Sequence, residues 1–357
     1  MFDAIAAARD HINMETYIIE DDEVGRKFAD ALIERQSHGV QVAFIYDSVG
    51  SSGTPPAFFK RLTDGGVKVL QYNPINPLAG KKGWEVTQRD HRKLMIIDGE
   101  TAFMGGVNIS SVYSSGSSSP RSAPQSANAP WRDTDVRVQG PVVADFQKLF
   151  LATWEKQKGD AMVPRNYFPL AANRGNEVVH AIGSSPDDAY SMIYATLISA
   201  IDSAETSVHL TNAYFVPDPQ LLAALKDAAR RGVDVSLILP SHTDSWMVYN
   251  AGRSHYANLL ASGVKIHERR GALLHAKTAV IDGVWSTIGS TNLDWRSFLY
   301  NDEVNAVVLG PDFGTQMQTM FDADIAVSNI ITKESWSERP IASHVKELAA
   351  RMWAYWL

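Results

Sequence analysis

A short motif of histidine, lysine and aspartate occurs twice in this chain, and the repeat constrains the fold more than any other feature of the sequence. Both copies place the same residues at the same spacing: His91, Lys93 and Asp98 in the first, and His275, Lys277 and Asp282 in the second. A Gly-x-x-Asn sequence follows each copy and ends at Asn108 and Asn292. Four residue types rarely recur at fixed spacing by chance, so the chain is predicted to carry two related halves.

The similarity between the halves extends beyond the motifs. Residues 38–48 resemble residues 231–241. Each half also contains one carboxylate at the same distance before a Gly-Pro pair, Asp133 in the first and Glu303 in the second. A repeat of this length indicates a duplicated domain rather than a solenoid array.

Strand and helix patterns predict the fold class. Apolar segments of strand length alternate with amphipathic segments of helix length in both halves. This alternation predicts an α/β protein with two homologous sandwich repeats, each with a mixed, largely parallel central sheet. The first strand of the chain is predicted at 15–20. Residues 278–281 and 285–288 are predicted strands joined by an Asp-Gly turn. Because side chains alternate along a strand, His275 and Lys277 are expected on the same face of the sheet.

The predicted domain organisation has four parts: a first repeat at 1–162, a linker at 163–175, a second repeat at 176–330 and a C-terminal helix at 331–357. The second repeat is predicted to open with a strand at 176–182 that the first repeat lacks. We therefore expect the chain to begin within the first repeat, leaving that sheet one strand short. Residues 110–130 are rich in serine and proline, which predicts a flexible loop beside the active site, either a lid or a passive insertion.

Composition excludes several classes of protein. The chain has no cysteine, so disulfides and thiolate metal sites are excluded. The formal net charge of −7 argues against a general nucleic-acid binder, and no nucleic-acid partner is expected. No apolar run reaches the roughly 18 residues of a membrane span. Charges near the start argue against a secretory signal, so a peripheral, cytosol-facing protein is expected.

The residue types in the motifs suit a phosphoryl group. A lysine ammonium and an asparagine amide can neutralise or bond its non-bridging oxygens, while a histidine can attack phosphorus or deliver a proton. Exchange at a phosphodiester needs both a nucleophile and a separate acid, so one motif is insufficient. A metal site is the alternative, but the ammonium beside each histidine argues against it because it repels a divalent cation.

With its flanking segments, the chain resembles the phospholipase D superfamily, and within it the bacterial cardiolipin synthases. The segments that carry the resemblance are METYIIEDDEVG, RDHRKLMIIDG, WRDTDVRVQGP, AYFVPD, LLHAKTAVIDG and IGSTNLDWRSFLYNDE. The subtype without N-terminal transmembrane helices fits best. The resemblance implies one active site at a pseudo-twofold interface between the repeats, a covalent phosphohistidine intermediate, and neither a metal nor another cofactor.

Motifs and resemblance together give the candidate site residues. The candidate catalytic residues are His91, Lys93, Asp98, His275, Lys277 and Asp282. The remaining candidates are Asn108, Asn292 and Ser290 for phosphate binding, Asp133 and Glu303 for orienting the imidazoles, and Tyr214 and Phe215 for a lipid pocket. The resemblance makes His91 the expected nucleophile. Asp98 and Asp282, at the predicted turns, are expected to be mainly structural.

The expected activity is that of a cardiolipin synthase-type phosphatidyltransferase. It would move a phosphatidyl group from phosphatidylglycerol or phosphatidylethanolamine to the hydroxyl of phosphatidylglycerol, giving cardiolipin and the headgroup alcohol. Three alternatives stay open: a hydrolase that gives phosphatidate, a phosphodiesterase or nuclease of the same superfamily, and a non-catalytic lipid-binding protein. The expected location is the cytoplasmic side of the inner membrane, by peripheral binding, and no oligomeric state is predicted.

Candidate membrane contacts are few in this sequence. Residues 81–84 and the pair Arg269 and Arg270 offer basic or aromatic side chains to an anionic surface. The aromatic C-terminus, 352–357, either anchors in the interface or packs on the domain.

Overall fold

A computed structural model of the protein describes residues 1–76, 85, 87–114 and 130–352. The described elements of the first repeat are α1 (Phe2–Ala7), β1 (His11–Thr16), α2 (Glu23–Ser37), β2 (Gln41–Asp47), α3 (Pro56–Asp64), β3 (Lys68–Tyr72), β4 (Arg89–Asp90), β5 (Leu94–Ile97), β6 (Thr101–Gly105), β7 (Trp131–Arg132), β8 (Asp135–Gln139) and α4 (Val143–Lys156). No helix or strand lies between α4 and the next strand, where the linker is predicted.

Within the described ranges, the second repeat has a similar order of helices and strands, with one additional strand at its start and one strand and two helices added at its end. Its elements are β9 (Val178–Ser184), α5 (Met192–Ser203), β10 (Ser207–Asn212), α6 (Pro219–Arg230), β11 (Asp234–Pro240), α7 (Trp246–Arg253), α8 (Tyr256–Ala261), β12 (Lys265–Arg269), β13 (Leu273–Leu274), β14 (Lys277–Ile281), β15 (Trp285–Gly289), α9 (Trp295–Leu299), β16 (Asn301–Leu309), α10 (Pro311–Ile325), β17 (Ser328–Ile331), α11 (Lys333–Ser337) and α12 (Ile341–Arg351).

The two central sheets have corresponding strand orders. The first is β3-β2-β1-β5-β6-β8, and the matching part of the second is β12-β11-β10-β14-β15-β16. In the first sheet, β1, β2 and β3 are parallel neighbours, whereas the pairs from β1 to β8 are antiparallel. The predicted α/β fold with two repeats and mixed sheets is confirmed. The expectation of largely parallel sheets is wrong, because each Asp-Gly hairpin and the strand after it add antiparallel pairs.

The strand predicted at the start of the second repeat is β9. It pairs antiparallel with β16 from Glu303 to Leu309. Within the described residues, the first sheet has no strand beyond β8. The two sheets therefore differ at this edge, as the sequence comparison of the halves predicts.

Both predicted Asp-Gly turns are confirmed. Asp98 and Gly99 have φ of 54° and 65°, and Asp282 and Gly283 have φ of 52° and 67°. Two consecutive residues with positive φ are typical of the type I′ turn that joins tightly paired strands. Aspartate and glycine tolerate this left-handed region better than most residues, which explains the recurrence of Asp-Gly.

The first strand lies earlier than predicted. The sequence predicts it at 15–20, but β1 covers His11–Thr16 and all six of its side chains are buried. Four of them are polar, namely His11, Asn13, Glu15 and Thr16. The alternation of polar and apolar residues at 11–15 fits the observed strand, and the fold buries both of its faces.

Helix α4 joins the two repeats in one core. Its Phe146 and Phe150 are completely buried. They belong to a cluster that includes Ile45 and Leu94 of the first sheet and Val304 of the second. Burying an aromatic side chain of this size contributes about 1.5–3 kcal/mol to folding. The repeats therefore stabilise each other through this helix.

Two short strands cross from one repeat to the other. β4 pairs in parallel with the start of β16, and β7 pairs in parallel with β13. β4 directly precedes His91, and β13 directly precedes His275. These crossings bring both motifs to the boundary between the repeats.

Several expectations concern residues outside the described ranges. These are the membrane contacts predicted at 81–84 and 353–357, and most of the loop predicted at 110–130. Arg269 is engaged within the fold, because its Nε donates to Asp324 Oδ1 at 2.8 Å. In the part of the chain that the structure describes, no helix combines the length and apolar character needed to cross a bilayer.

Candidate active site

The two motifs converge on one cavity of about 370 Å³ at the boundary between the repeats. His91 of the first repeat and His275 of the second both line it. Both histidines are almost fully buried, at 8% and 5% exposure. The volume lies within the range of sites that bind small ligands or headgroups.

Each imidazole is held by a carboxylate from the other repeat. His91 Nδ1 lies 3.0 Å from Glu303 Oε1 and 3.2 Å from Oε2. His275 Nδ1 lies 2.6 Å from Asp133 Oδ2. A carboxylate accepts from a protonated Nδ1, which leaves the lone pair on Nε2. Each histidine–carboxylate pair thus depends on both repeats.

The two Nε2 atoms are available for chemistry. Neither has a hydrogen-bond partner among the described residues, since both imidazoles are bonded only through Nδ1. Burial lowers the pKa of His275 to about 4, with a further lowering by Lys277 and partial compensation by Asp133. Burial also lowers the pKa of His91, against the raising effect of Glu303. In the empty site both imidazoles are therefore neutral near pH 7.

The two lysines lie beside these histidines and are buried. Each ammonium donates to the carbonyl oxygen of the histidine in its own motif. Burial lowers the pKa of Lys93 to about 7 and that of Lys277 to about 8, although Glu303 and Asp133 favour the charged forms. An anionic phosphate in the cavity would favour the ammonium form of both.

The two asparagines differ in what they bind. Both line the cavity. Asn292 Oδ1 has no hydrogen-bond partner among the described residues. Asn108 Oδ1 accepts from the Ile18 amide at 3.0 Å, and its Nδ2 donates to the Tyr113 hydroxyl at 3.0 Å. Asn292 is therefore the less constrained of the pair, while Asn108 also fixes the surrounding loops.

Ser290 does not bind phosphate in this arrangement, so that expectation is wrong. Its hydroxyl donates to Glu303 Oε2 and accepts from the Val304 amide at 3.0 Å. The side chain is completely buried. Ser290 instead fixes the carboxylate that holds His91. Burial alone would raise the pKa of Glu303, but His91 and other neighbours, Ser290 among them, hold it below its usual value.

Asp98 and Asp282 are not part of the cavity, and their place among the catalytic candidates is corrected. The Asp282 carboxylate accepts from the backbone amides of residues 205–207 at 2.8–2.9 Å. Asp98 accepts from the amides of residues 9–11 at 2.8–3.2 Å. Each aspartate thus ties a hairpin turn to the segment that begins the central strand of its repeat. This agrees with the mainly structural role expected from the turn position.

The two lipid-pocket candidates point to different places. Tyr214 lines the cavity, and its ring centroid lies 6.4 Å from that of His275 at 90°. Its hydroxyl donates to Asp244 Oδ1. Phe215 packs into the core of the second repeat, beside residues such as Leu293. The expectation that Phe215 lines the substrate pocket is therefore wrong.

Aromatic residues that the sequence analysis missed pack on both imidazoles. The ring of Tyr17 lies 5.0 Å from His91, and the ring of Trp131 lies 4.9 Å from His275. A signal existed for Tyr17, because a tyrosine follows the central strand in each repeat, Tyr17 after β1 and Tyr214 after β10. Four further residues that line the cavity were missed because the other repeat has a different residue at the matching position. They are Arg89, Asp294, Arg296 and Asn301.

The arrangement suits displacement at a phosphodiester. Two neutral imidazoles offer a nucleophile and a proton carrier, and two ammonium groups offer positive charge to the phosphoryl oxygens. In the described ranges, no group of three or more histidine, aspartate or glutamate side chains has the arrangement of a metal site.

Comparison with known proteins places this geometry in a family. The family model described as cardiolipin synthase, PLD-like domain matches residues 1–115 and 197–325. The cardiolipin synthase of Geobacillus thermodenitrificans (strain NG80-2) is 34% identical over 355 residues, which are 99% of this chain and 68% of that protein. The major cardiolipin synthase of Bacillus subtilis (strain 168) is 34% identical, over 98% of this chain and 70% of that protein.

A solved structure shares the complete architecture. The phosphatidylserine synthase of Haemophilus influenzae Rd KW20 superposes with a TM-score of 0.72 and covers 100% of this chain and 92% of its own. The sequence identity is 11%, so this likeness is one of fold. Both repeats and their interface are part of the shared fold.

Proposed function

This chain belongs to the cardiolipin synthases of the phospholipase D superfamily, and from that premise we propose that it makes cardiolipin through a phosphohistidine intermediate. It is a transferase of this superfamily with phospholipids as substrates. The observation that carries the proposed mechanism is the pair of imidazoles that face one cavity from opposite repeats, each with a free Nε2. A two-step exchange requires two such groups, one to attack phosphorus and one to move protons.

The first step forms the covalent intermediate. With His91 as the nucleophile, as the resemblance predicts, its Nε2 attacks phosphorus of the donor lipid. The N–P bond forms while the P–O bond to the headgroup breaks, and His275 gives a proton to the departing alkoxide. The bound phosphodiester anion favours the protonated form of His275, so its pKa in the complex is higher than in the empty site.

The second step transfers the phosphatidyl group. The hydroxyl of phosphatidylglycerol attacks phosphorus, its proton passes to Nε2 of His275, and the N–P bond to His91 breaks. The product is cardiolipin, and both histidines return to their starting states. Glu303 and Asp133 keep the imidazoles in the tautomer that this sequence needs.

Charge stabilisation comes from both motifs. Lys93 and Lys277 place two ammonium groups beside the histidines, and Asn292 lines the cavity, where its amide Nδ2 can donate. Negative charge on the non-bridging oxygens grows as the fifth bond to phosphorus forms, and these groups are positioned before reaction. A preorganised donor of this kind is commonly worth about 10²–10³ in kcat.

The likeness of almost the whole chain to cardiolipin synthases supports a lipid substrate over a nucleic acid. We infer that the enzyme takes its substrates from the bilayer surface, and its side of the membrane stays a prediction.

Product analysis tests the proposal. The protein is incubated with vesicles of phosphatidylglycerol and phosphatidylethanolamine, and the lipids and released alcohols are identified by mass spectrometry. We expect cardiolipin from the wild type and from neither His91→Ala nor His275→Ala. The released glycerol or ethanolamine identifies the donor.

Other outcomes would change the assignment. Phosphatidate as the main product would make the enzyme a hydrolase. No lipid turnover, together with cleavage of an oligonucleotide, would make it a nuclease. No turnover of either substrate by folded protein would leave the non-catalytic alternative.

A further inference from the structure

We propose that Arg89 forms a second phosphate subsite, which binds the phosphodiester of the acceptor phosphatidylglycerol while its hydroxyl attacks the intermediate. The inference rests on the proposed function and extends it. It identifies the residue that distinguishes an acceptor carrying a phosphate from any other alcohol.

Arg89 is buried, with 2% of its surface exposed, and its guanidinium is only partly bonded. Nη1 donates to Ser48 Oγ at 3.0 Å and to the Asn73 carbonyl at 3.2 Å, and it lies 3.6 Å from Asp47 Oδ1. Nε and Nη2 have no hydrogen-bond partner among the described residues. The group is therefore anchored on one side and free on the other.

The free edge of this guanidinium has a specific shape. The N–H bonds of Nε and Nη2 are parallel, and together they match two oxygens of a phosphate or carboxylate. Buried donors without partners are costly and rare, so a native fold that keeps two of them on one arginine requires an explanation. A rigid, bidentate edge at the wall of an active site is preorganised to bind an anion.

Arg89 and His91 lie on one short segment and face the same cavity. The two residues are two positions apart on an extended segment, whose amides at both positions donate to the neighbouring strand β16 and its preceding residue. Their side chains therefore share a face, and both line the catalytic cavity. Arg89 therefore faces the cavity that holds the reacting phosphate, with its Cα about 7 Å from that of His91.

The active site is nearly symmetric, but only the first repeat has the arginine of this subsite. Leu273 stands before His275 at the position that Arg89 occupies before His91. The histidines, lysines and asparagines are repeated and serve the phosphate that reacts. A second phosphate belongs to the acceptor alone, so a residue that binds it is expected in only one repeat. Arg89 lies beside His91 whichever histidine carries the phosphoryl group.

A second cation reinforces the same wall. Arg296 lines the cavity and is exposed at its mouth. Asp47 balances much of the charge of Arg89, and Arg296 restores a positive charge near the subsite. Both guanidinium groups act on the Tyr17 hydroxyl. Burial raises the pKa of Tyr17 to about 12, and the positive charges of Arg89 and Arg296 each offset part of that rise. Arg89 thus orients the acceptor phosphate, and Arg296 attracts it.

The test compares two soluble acceptors. Phosphatidylglycerol with a deuterated headgroup serves as the donor in detergent micelles, with either glycerophosphoglycerol or glycerol as the acceptor. Glycerophosphoglycerol is the acceptor headgroup without its acyl chains and carries the phosphate, whereas glycerol lacks it. Mass spectrometry of the products gives kcat/KM for each acceptor.

We expect the wild type to prefer glycerophosphoglycerol, and Arg89→Gln to reduce this preference by about tenfold or more, the size expected for a lost bidentate charge pair. Arg89→Lys keeps the charge without the parallel donors and should restore part of the preference. The exposed Arg137 provides a matched control. Arg137→Gln should keep the wild-type preference.

Loss of folding is separated from loss of recognition. The double variant Asp47→Asn with Arg89→Gln removes the carboxylate left without its partner, and rates are compared per molecule with a wild-type melting transition. The double variant should show the same loss of preference. An unchanged preference in folded Arg89→Gln would overturn the subsite. A wild type that forms neither a transfer product nor cardiolipin from the donor lipid would overturn the proposed function itself.

Discussion

Burial decides the pKa, and so the charge, of several single residues in this site. Lys93 and Lys277 are the clearest case, since burial brings their pKa values to about 7 and about 8. A lysine with a lowered pKa is charged below that value and loses its charge as pH rises through it. The phosphate-binding charge of the empty enzyme is therefore lost just above neutrality.

This gives a prediction for the pH profile. We expect kcat/KM of the wild type to fall above about pH 7–8, because the free enzyme loses first one and then the other ammonium. Lys93→Arg should move the start of this fall to higher pH, because a guanidinium stays protonated. Initial rates of cardiolipin formation across the alkaline range measure the effect. An alkaline fall at the same pH in Lys93→Arg and Lys277→Arg would contradict the assignment.

Glu303 is expected to act through His91. Glu303→Gln keeps the size of the side chain but removes the charge that selects the tautomer, so kcat should fall by about 10²–10⁴-fold. Asp133→Asn should act similarly through His275. Steady-state kinetics of both variants, with melting curves to confirm folding, provide the measurement. A fall of less than about tenfold in either would show that its imidazole is oriented by other contacts.

The site residues that can be predicted from the sequence are those that occur in both repeats. Histidines, lysines, asparagines and both carboxylates could be found from the sequence because each occurs twice. Which carboxylate holds which imidazole could not, since the pairing crosses between repeats. Ser290 was assigned to phosphate because a hydroxyl beside Asn292 suits that role, and only the structure shows it bound to Glu303.

Secondary-structure elements can be predicted where their cause is local in the sequence, but not where it is a tertiary contact. The Asp-Gly hairpins were predictable because positive φ at two consecutive positions is a local requirement. The burial of the polar face of β1 was not, because it depends on segments far away in sequence. His11 Nε2, for example, lies 3.2 Å from Gln147 Oε1 of helix α4.

The hairpin aspartates give a prediction about stability. Asp282→Asn keeps a residue that tolerates positive φ but weakens three hydrogen bonds from backbone amides, so unfolding should become easier by about 1–3 kcal/mol. Asp98→Asn in the other repeat is the matched variant. Denaturant unfolding measures stability, and kcat is compared per folded molecule. A large loss of kcat without loss of stability would return these aspartates to the catalytic set.

At the scale of the whole molecule, neither repeat is complete alone. Each catalytic pair takes its histidine from one repeat and its carboxylate from the other. The strands β4 and β7 cross the boundary, and α4 buries its aromatic face among residues of both sheets. Duplication was visible in the sequence, but this exchange of parts requires three-dimensional contacts that no single segment encodes.

The shared core predicts cooperative unfolding. Phe150→Ala removes a completely buried ring from the cluster that contains residues of both sheets. We expect one calorimetric transition in the wild type, and one in the variant that is less stable by about 3–5 kcal/mol. Two separated transitions, with only one shifted, would show that the repeats fold independently.

The most direct test of the central claim is to trap the covalent intermediate. Enzyme mixed with phosphatidylglycerol is quenched within a turnover, digested under conditions that preserve phosphoramidates, and mapped by peptide mass spectrometry. The proposed mechanism predicts a phosphatidyl adduct on one active-site histidine, expected at His91, which is absent from His91→Ala. Cardiolipin formation at the wild-type rate with no adduct on either His91 or His275 would contradict the mechanism.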